Sequence, residues 1–434
     1  MTSTFQSILL TVFGFLGLIA ILIFAGVIPF FGEDANFGGT VVMWGDLPQK
    51  QMDAFISELK KSYENNFTLV YEYHDSKTFE NDLISTLARG GGPDLILLPH
   101  DLILSQGDKI KPIPFSSYSE RDFRDTYADI GNMYLIKEGV LAFPLYLDPL
   151  VMYWNKDIFS NASVSTYPKT WIEFLELSNN ITKKDSKGNI FQSTIAFGTF
   201  KNISNAKSII SMLLLQAGDG IVTMETDKYG VATNKFKVSL GENTSVTESA
   251  IRFYSEFSNQ AKSSYTWNSA MPVSRRAFGN GNLAVYFGFA SEYNGIKSEN
   301  PHLNFDVAVV PQRDDAKTKA TFGNMWGVSV LKSSKNIGTA TVVALVLANT
   351  DYGEKLAEVA GLPSLKRSFL AKSQANPVFS VFVKSAIMGK AWYDPNEDSS
   401  DIIFKEMIES ILSGKNSVLS AITSSKIRLM EIVK

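Results

Sequence analysis

Three histidines and a scatter of carboxylates are the groups here that could do chemistry, and their spacing decides what kind. His74, His100 and His302 are far apart, with no histidine pair one helical turn apart of the sort that holds zinc beside a glutamate. The adjacent His100-Asp101 pair could ligate a metal only in principle. Cysteine is absent, which excludes disulfides, thiolate metal sites, a cysteine nucleophile and a lipid-modified N-terminal cysteine. "DPNEDSSD" (394–401) opens like a calcium loop at Asp394, Asn396 and Asp398. Its sixth position is Ser399 instead of glycine and its twelfth is Lys405 instead of glutamate, so a solvated acidic loop is the plainer reading. The glycines of "GNGNL" (279–283) follow a helix-like segment and do not open one, so they cradle no phosphate. Asp101 and Asp148 could face each other as paired carboxylates of a glycosidase, but proton transfer would need one of them with a raised pKa. No catalytic motif emerges, and no enzyme, metal or cofactor is expected.

One acid is out of place. Asp148-Pro149 interrupts the apolar run "AFPLYLDPLVMYWNKDIF" (142–159), where a buried strand has no use for a carboxylate and a central strand rejects proline. The chain is expected to break there.

The elements around these residues alternate. "GTVVMW" (39–44) is β-rich, and Asp46 can cap a following helix that tolerates Pro48 in its first turn. Met52, Phe55, Ile56, Leu59 and Tyr63 then recur at helical spacing. "FTLVYEY" (67–73) puts Phe67, Leu69, Tyr71 and Tyr73 on one strand face. A helix with Phe79, Leu83 and Leu87 leads to the buried strand of "GGGPDLILLPHD" (90–101). Strand–helix–strand–helix–strand implies a parallel sheet, with ligands beyond the carboxyl ends of its strands, near Trp44, Asp46, His100 and Asp101. "YPKTWIEFLELSNNI" (167–181) starts a helix with Thr170 as cap, and a helix-rich region runs on to about residue 285. "NFDVAVVPQ" (304–312) and "WGVSVL" (326–331) are strands, and the rest is mostly helical.

At 434 residues the chain exceeds what one core usually serves, so two or more lobes are expected. A net charge of −3 offers no basic face for nucleic acid. Residues 7–31, "SILLTVFGFLGLIAILIFAGVIPFF", carry no charge and exceed the roughly 20 residues that span a bilayer. The run is too long for a cleaved signal peptide and reads as a retained single-pass anchor. Residues 1–6 are read as a cytoplasmic segment or a short N-terminal tail, and "GEDANFG" (32–38) as a polar linker. Lys/Arg bias does not encode the orientation, since the first lysine is Lys50.

Taken in order, "GGGPDLILLPHD", "AFPLYLDPLVMYWNKDIF", "YPKTWIEFLEL", "AFGNGNLAVYFGF" (277–289), "NFDVAVVPQ", "WGVSVLKSSKN" and "ILSGKNSVLSAITSSKI" resemble the extracellular solute-binding proteins of family 1, the maltose-binding type. These are capture subunits of ATP-driven importers. The resemblance implies a two-lobed α/β fold of the periplasmic-binding-protein type (type II), with crossings near Asp148-Pro149, "FGNMW" (322–326) and "GLPSLK" (361–366). Residues 39–147 and 327–365 would form the first lobe, 148–326 and 366–434 the second. The protein would then be an anchored, extracytoplasmic, monomeric receptor at the cell membrane. It would capture a mono- or oligosaccharide between hinged lobes and deliver it to ABC permease subunits. An anchored sensor or scaffold ectodomain without a transport role is the alternative.

The same resemblance supplies site candidates. Asp148 matches an acidic cleft position, with crossover capping or a hinge salt bridge as its other reading. Asp101 matches a ligand-contacting aspartate, or else caps the next helix. Trp44 is a ligand platform or lobe-edge core, and Asp46 a polar contact or a helix cap. Phe289, Trp392, Tyr393 and Trp326 stand where relatives carry cleft aromatics. Trp154, Trp171 and Trp267 read as packing residues. Leu98 replaces the tryptophan that maltose-binding relatives carry before "HD", so an oligoglucoside specificity does not transfer.

Overall fold

The structure is a computed structural model, and it describes residues 39–433 apart from 64–65, 229–231 and 317. The expected anchor over 7–31, with the tail before it and the linker after it, lies outside the described residues. Among the described residues no helix is long and apolar enough to cross a membrane.

The principal strands are β1 (Thr40–Gly45), β2 (Thr68–Tyr73), β3 (Leu95–Pro99), β4 (Phe143–Asn155), β5 (Ile190–Ile195), β6 (Leu283–Phe289), β7 (Phe305–Ala308) and β8 (Thr321–Val330). The principal helices are α1 (Gln49–Tyr63), α2 (Phe79–Ala88), α3 (Trp171–Ile181), α4 (Ala206–Ala217), α5 (Thr244–Glu256), α6 (Glu292–Glu299), α7 (Ile337–Asn349), α8 (Tyr352–Ala360), α9 (Pro377–Ile387), α10 (Glu397–Leu412) and α11 (Val418–Ile432). The chain divides into two compact units. Unit 1 takes the described residues up to Pro99 with Gln106–Leu145 and Trp326–Ala360, and unit 2 takes His100–Ser105, Tyr146–Met325 and the chain from Gly361 onward.

In unit 1, β1 lies between β2 and β3 and is parallel to both, while β8 runs antiparallel on β3 with Trp326 opposite Pro99. The strand–helix alternation dictates this sheet, because a parallel pair needs a crossover, and α1 and α2 supply it. Met52, Phe55, Leu59 and Tyr63 are the buried stripe of α1. The helix opens at Gln49, with the Pro48 carbonyl accepting from the Gln51 and Met52 N–H groups. Proline therefore stands at the threshold where Asp46 was expected as cap. On β2, Leu69 and Tyr71 are buried, but Tyr73 at the strand end is exposed. α7 is apolar on every side and buried nearly all round. The next helix approaches it so closely that a Cβ at Gly353 would stand 2.3 Å from the Leu347 carbonyl oxygen.

In unit 2, β6 pairs antiparallel with β4, from Leu150 opposite Phe289 to Trp154 opposite Val285. β7 also pairs antiparallel with β4, and β5 runs parallel to β6. The expected helix-rich stretch to residue 285 thus contains a strand of the main sheet, and also a hairpin of Val222–Thr226 with Ala232–Val238. Trp171, which opens α3 behind the Thr170 cap, gathers Phe174, Phe197, Phe253 and Phe287 at ring-centroid distances of 5.7, 5.9, 5.5 and 5.7 Å. Burial of such rings dominates a core's stabilisation.

The expected break at Asp148-Pro149 does not occur. β4 is one 13-residue strand through both residues. Pro149 sits just outside the register with β6, which begins at Leu150. Its carbonyl still accepts from the Ala290 N–H at 3.0 Å. Proline is tolerated where the ladder does not call on its missing N–H.

Candidate functional site

In unit 2, charged, polar and aromatic side chains surround a cavity of about 500 Å³. It is assembled from five places in the chain. The turn after β3 brings His100 and Asp101, the first turn of α4 brings Asn205, Lys207 and Ser208, and the strand ends bring Phe289, Phe322 and Asn324. The last contribution is Trp392 with the opening of α10. There Glu397, Asp401 and Lys405 follow one another at four-residue intervals, which puts all three on one helix face.

Aromatic rings form part of the cavity's lining. Phe289 and Phe322 meet edge to face at 6.3 Å, and Phe322 stands at 6.1 Å from the His100 ring. The Trp392 indole stacks on Phe404 at 6.0 Å and donates from Nε1 to Ser211 Oγ at 3.1 Å, so its plane is fixed from behind.

Charged groups complete the lining. Lys207 Nζ donates to Asp394 Oδ2 at 3.0 Å, to Ser400 Oγ at 3.0 Å and to the Glu397 carbonyl at 3.2 Å. The ammonium thereby ties the start of α4 to the start of α10. Asp394 is 5% exposed, so the acidic stretch expected as a solvated loop is instead a buried ion pair followed by a helix that Asn396 caps. Among the described residues no group of acids and histidines could hold a metal ion. Burial raises the Glu397 carboxyl; Lys207 opposes this, and Asp101, Asp394 and Asp398 add to it. His100 is held neutral: burial pushes its imidazole down to about 4, against a weaker pull from Asp394. Its Nδ1 accepts from the Met325 N–H at 3.2 Å, which assigns the ring proton to Nε2.

Of the eight residues singled out from the sequence, the structure brings Asp101, Phe289 and Trp392 together around this cavity. Tyr393 follows Trp392 but packs on Phe236 at 4.9 Å, outside the lining. Asp148 is also outside it. Its side chain is buried, and Oδ1 accepts the Ser291 N–H at 3.0 Å, at the turn from β6 into α6. Burial pushes its carboxyl up to about 7; the Ser291 hydrogen bonds oppose the rise, and Glu292 adds to it. Trp44, Asp46 and Trp326 belong to unit 1. There Trp44 is buried, stacks on His74 at 3.8 Å and donates to Glu72 Oε2 at 2.6 Å. Asp46 is half-buried ahead of α1, and Trp326 is half-buried on β8.

Sequence reasoning missed Asn205, Lys207, Phe322, Glu397, Asp401 and Lys405. The i, i+4, i+8 spacing of the last three was a readable signal. Lys207 was a fainter one, as the sole charge in α4.

A cavity with aromatic faces, carboxylates and lysines can grip hydroxyls by charge-assisted hydrogen bonds, each contributing about 1.5–3 kcal/mol, while the rings cover apolar C–H surface. The two-unit α/β architecture is that of a solute receptor, and the chain belongs to the bacterial extracellular solute-binding protein family, whose model matches residues 45–352. Members bind solutes and are not enzymes. The chain is 23% identical over 358 residues to the galactooligosaccharide-binding protein of Bacillus subtilis (strain 168), covering 79% of this chain and 78% of the relative. Its fold is also that of the cyclic alpha-maltosyl-1,6-maltose binding protein from Arthrobacter globiformis, with a TM-score of 0.72 and 16% identity over 91% of this chain and 99% of that one. A cyclo/maltodextrin-binding protein complexed with maltotetraose aligns with a TM-score of 0.71 at 15% identity, over 91% of this chain and 97% of the other.

Proposed function

We propose that this chain is a membrane-anchored, extracytoplasmic receptor that captures a mono- or oligosaccharide between two hinged lobes and hands it to an ABC importer. The observation that carries this reading is the cavity of unit 2, whose lining combines the rings of Phe289, Phe322 and Trp392 with Asp101, Glu397, Asp401 and Lys405. Pyranoses present an apolar face and a rim of hydroxyls, and this lining offers a partner to each. Saccharide-binding relatives point the same way.

Capture works by differential affinity: solute that touches both lobes stabilises the closed form, and only contacts absent from the open form count. From unit 1, Trp44, Asp46 and Trp326 remain the candidates. The anchor rests on the charge-free run over 7–31. It would keep the receptor near its permease at high effective concentration.

A thermal-shift screen of the detergent-solubilised full chain tests the reading with mono- and oligosaccharides, polyols and amino acids. A cognate saccharide at 100 times its dissociation constant adds about 2.7 kcal/mol of stability. A protein stabilised by an amino acid and by no saccharide would overturn the carbohydrate assignment. Release of the protein from membranes by alkaline carbonate would overturn the anchor.

A further inference from the structure

We propose that Glu292 is the positioning residue of the ligand cavity, holding two of its lining residues in place without touching ligand itself. The inference rests on the reading of that cavity as the saccharide site.

Glu292 opens α6 and does not line the cavity. Its carboxylate is a meeting point of four donors. Oε1 accepts from the Phe289 N–H at 2.8 Å and from Asn205 Nδ2 at 2.8 Å. Oε2 accepts from the Tyr286 hydroxyl at 2.7 Å and from Arg275 Nη1 at 2.6 Å. The two Oε1 donors are both cavity residues, and they come from different elements, one from the end of β6 and one from the threshold of α4. A single oxygen therefore ties the backbone of Phe289 to the side-chain amide of Asn205.

The two cavity donors meet their shortest acceptor here. Asn205 has φ +61°, in the left-handed region that a non-glycine residue rarely occupies, and its side chain does not cap its own helix. Its amide points instead to Glu292, with the Tyr286 hydroxyl at 3.2 Å. Phe289 ends β6, where the ladder with β4 also ends, so its N–H finds an acceptor in the side chain three residues on. The backbone leaves room for the carboxylate at Gly288, where a Cβ would stand 2.8 Å from Glu292 Oε1 and 2.5 Å from the Tyr286 ring. Arg275 balances the charge, and its other nitrogen, Nη2, holds Glu299 at 2.8 Å. The carboxylate is thus engaged through both oxygens in a corner that is mostly closed to water.

A purely structural ion pair would stabilise the fold and leave affinity alone, so the test separates the two. The dissociation constant of the best saccharide from the screen is measured calorimetrically on the full chain, below the melting midpoint of every variant. Glu292→Gln is expected to weaken binding at least tenfold, because an amide cannot serve all four donors. Glu299→Gln, which alters only the outer partner of Arg275, is expected to leave affinity within twofold while lowering the melting midpoint. In a double-mutant cycle, Asn205→Ala should cost less in the Glu292→Gln background than in the wild type, since both act through one contact. Wild-type affinity in folded Glu292→Gln would overturn the inference, as would losses that simply multiply. A wild type that binds no saccharide would instead remove the cavity reading on which the inference stands.

Discussion

Two buried groups of unit 2 respond to pH in opposite senses, and each hides the other. Asp148 is 5% exposed, and burial pushes its carboxyl from an ordinary 3.8 up to about 7. Between those values the unfolded chain has released the proton and the folded one keeps it. Rising pH therefore costs the folded state about 1.4 kcal/mol per pH unit, on the order of 4 kcal/mol in all. This stability is fully present below pH 3.8 and is lost as pH rises through 7. His100 is 3% exposed, and burial pushes its imidazole from 6.5 down to about 4. Between those values the unfolded chain takes up a proton that the folded one refuses. Falling pH thus costs the folded state about 1.4 kcal/mol per unit, on the order of 3 kcal/mol in all. From about pH 4 to 6.5 the two slopes cancel in the wild type.

Removing either group unmasks the other. Asp148→Asn keeps an oxygen to accept the Ser291 N–H, and His100→Asn keeps one for the Met325 N–H, so each variant loses its titration more than its hydrogen bond. Urea unfolding followed by tryptophan fluorescence between pH 4.5 and 7.5 gives the stability of each variant relative to wild type. Taking that difference cancels all other titrations. The Asp148→Asn difference should rise by about 1.4 kcal/mol per pH unit and the His100→Asn difference should fall by about the same. Four of the six tryptophans, Trp154, Trp171, Trp267 and Trp392, report on unit 2. Flat difference curves, or two slopes of one sign, would refute the reasoning.

Two further outcomes follow from the packing. Lys207→Met leaves the Asp394 carboxylate buried without its ammonium; a loss of about 3 kcal/mol is expected by urea unfolding, with part of it recovered on adding Asp394→Asn. Gly353→Ala drives a methyl to 2.3 Å from the Leu347 carbonyl between α7 and α8. A loss of about 2 kcal/mol in the same assay is expected, and a neutral result would show that α8 can shift to make room.

What could be read from the sequence was local. The β1–α1–β2–α2–β3 run shows itself because apolar spacing switches between 2 and 3.6 residues within about fifty positions, and Thr170 because a cap sits three residues before its donor, Glu173. What could not be read depends on distant partners. "DPNEDSSD" looks solvated until Lys207, 187 positions away, is found against Asp394. Pro149 looks like a strand breaker unless it is known that β6 pairs only from Leu150. Likewise, Trp44 reads equally as ligand platform and as core until His74 and Glu72 are placed around it.

Asp148 shows why the acid in an apolar strand was legible as an anomaly but not as a role. Its hydrogen-bond donor is the N–H of Ser291, 143 residues later. That N–H opens the same turn whose other end is held by Glu292, through Phe289. Two carboxylates thus serve one three-residue corner, one from β4 and one from α6. Arg275 pairs with Glu292 and not with Asp148, so the repulsion between the acids falls on Asp148, and burial falls on it too. A neutral Asp148 can still accept from Ser291, which makes the corner tolerant of its protonation. Loss of the charge on Glu292 would instead leave Arg275, Asn205 and Phe289 sharing one weaker acceptor. The acid that the strand made conspicuous is thus the replaceable one, and the acid hidden in an ordinary helix start is the one that shapes the site.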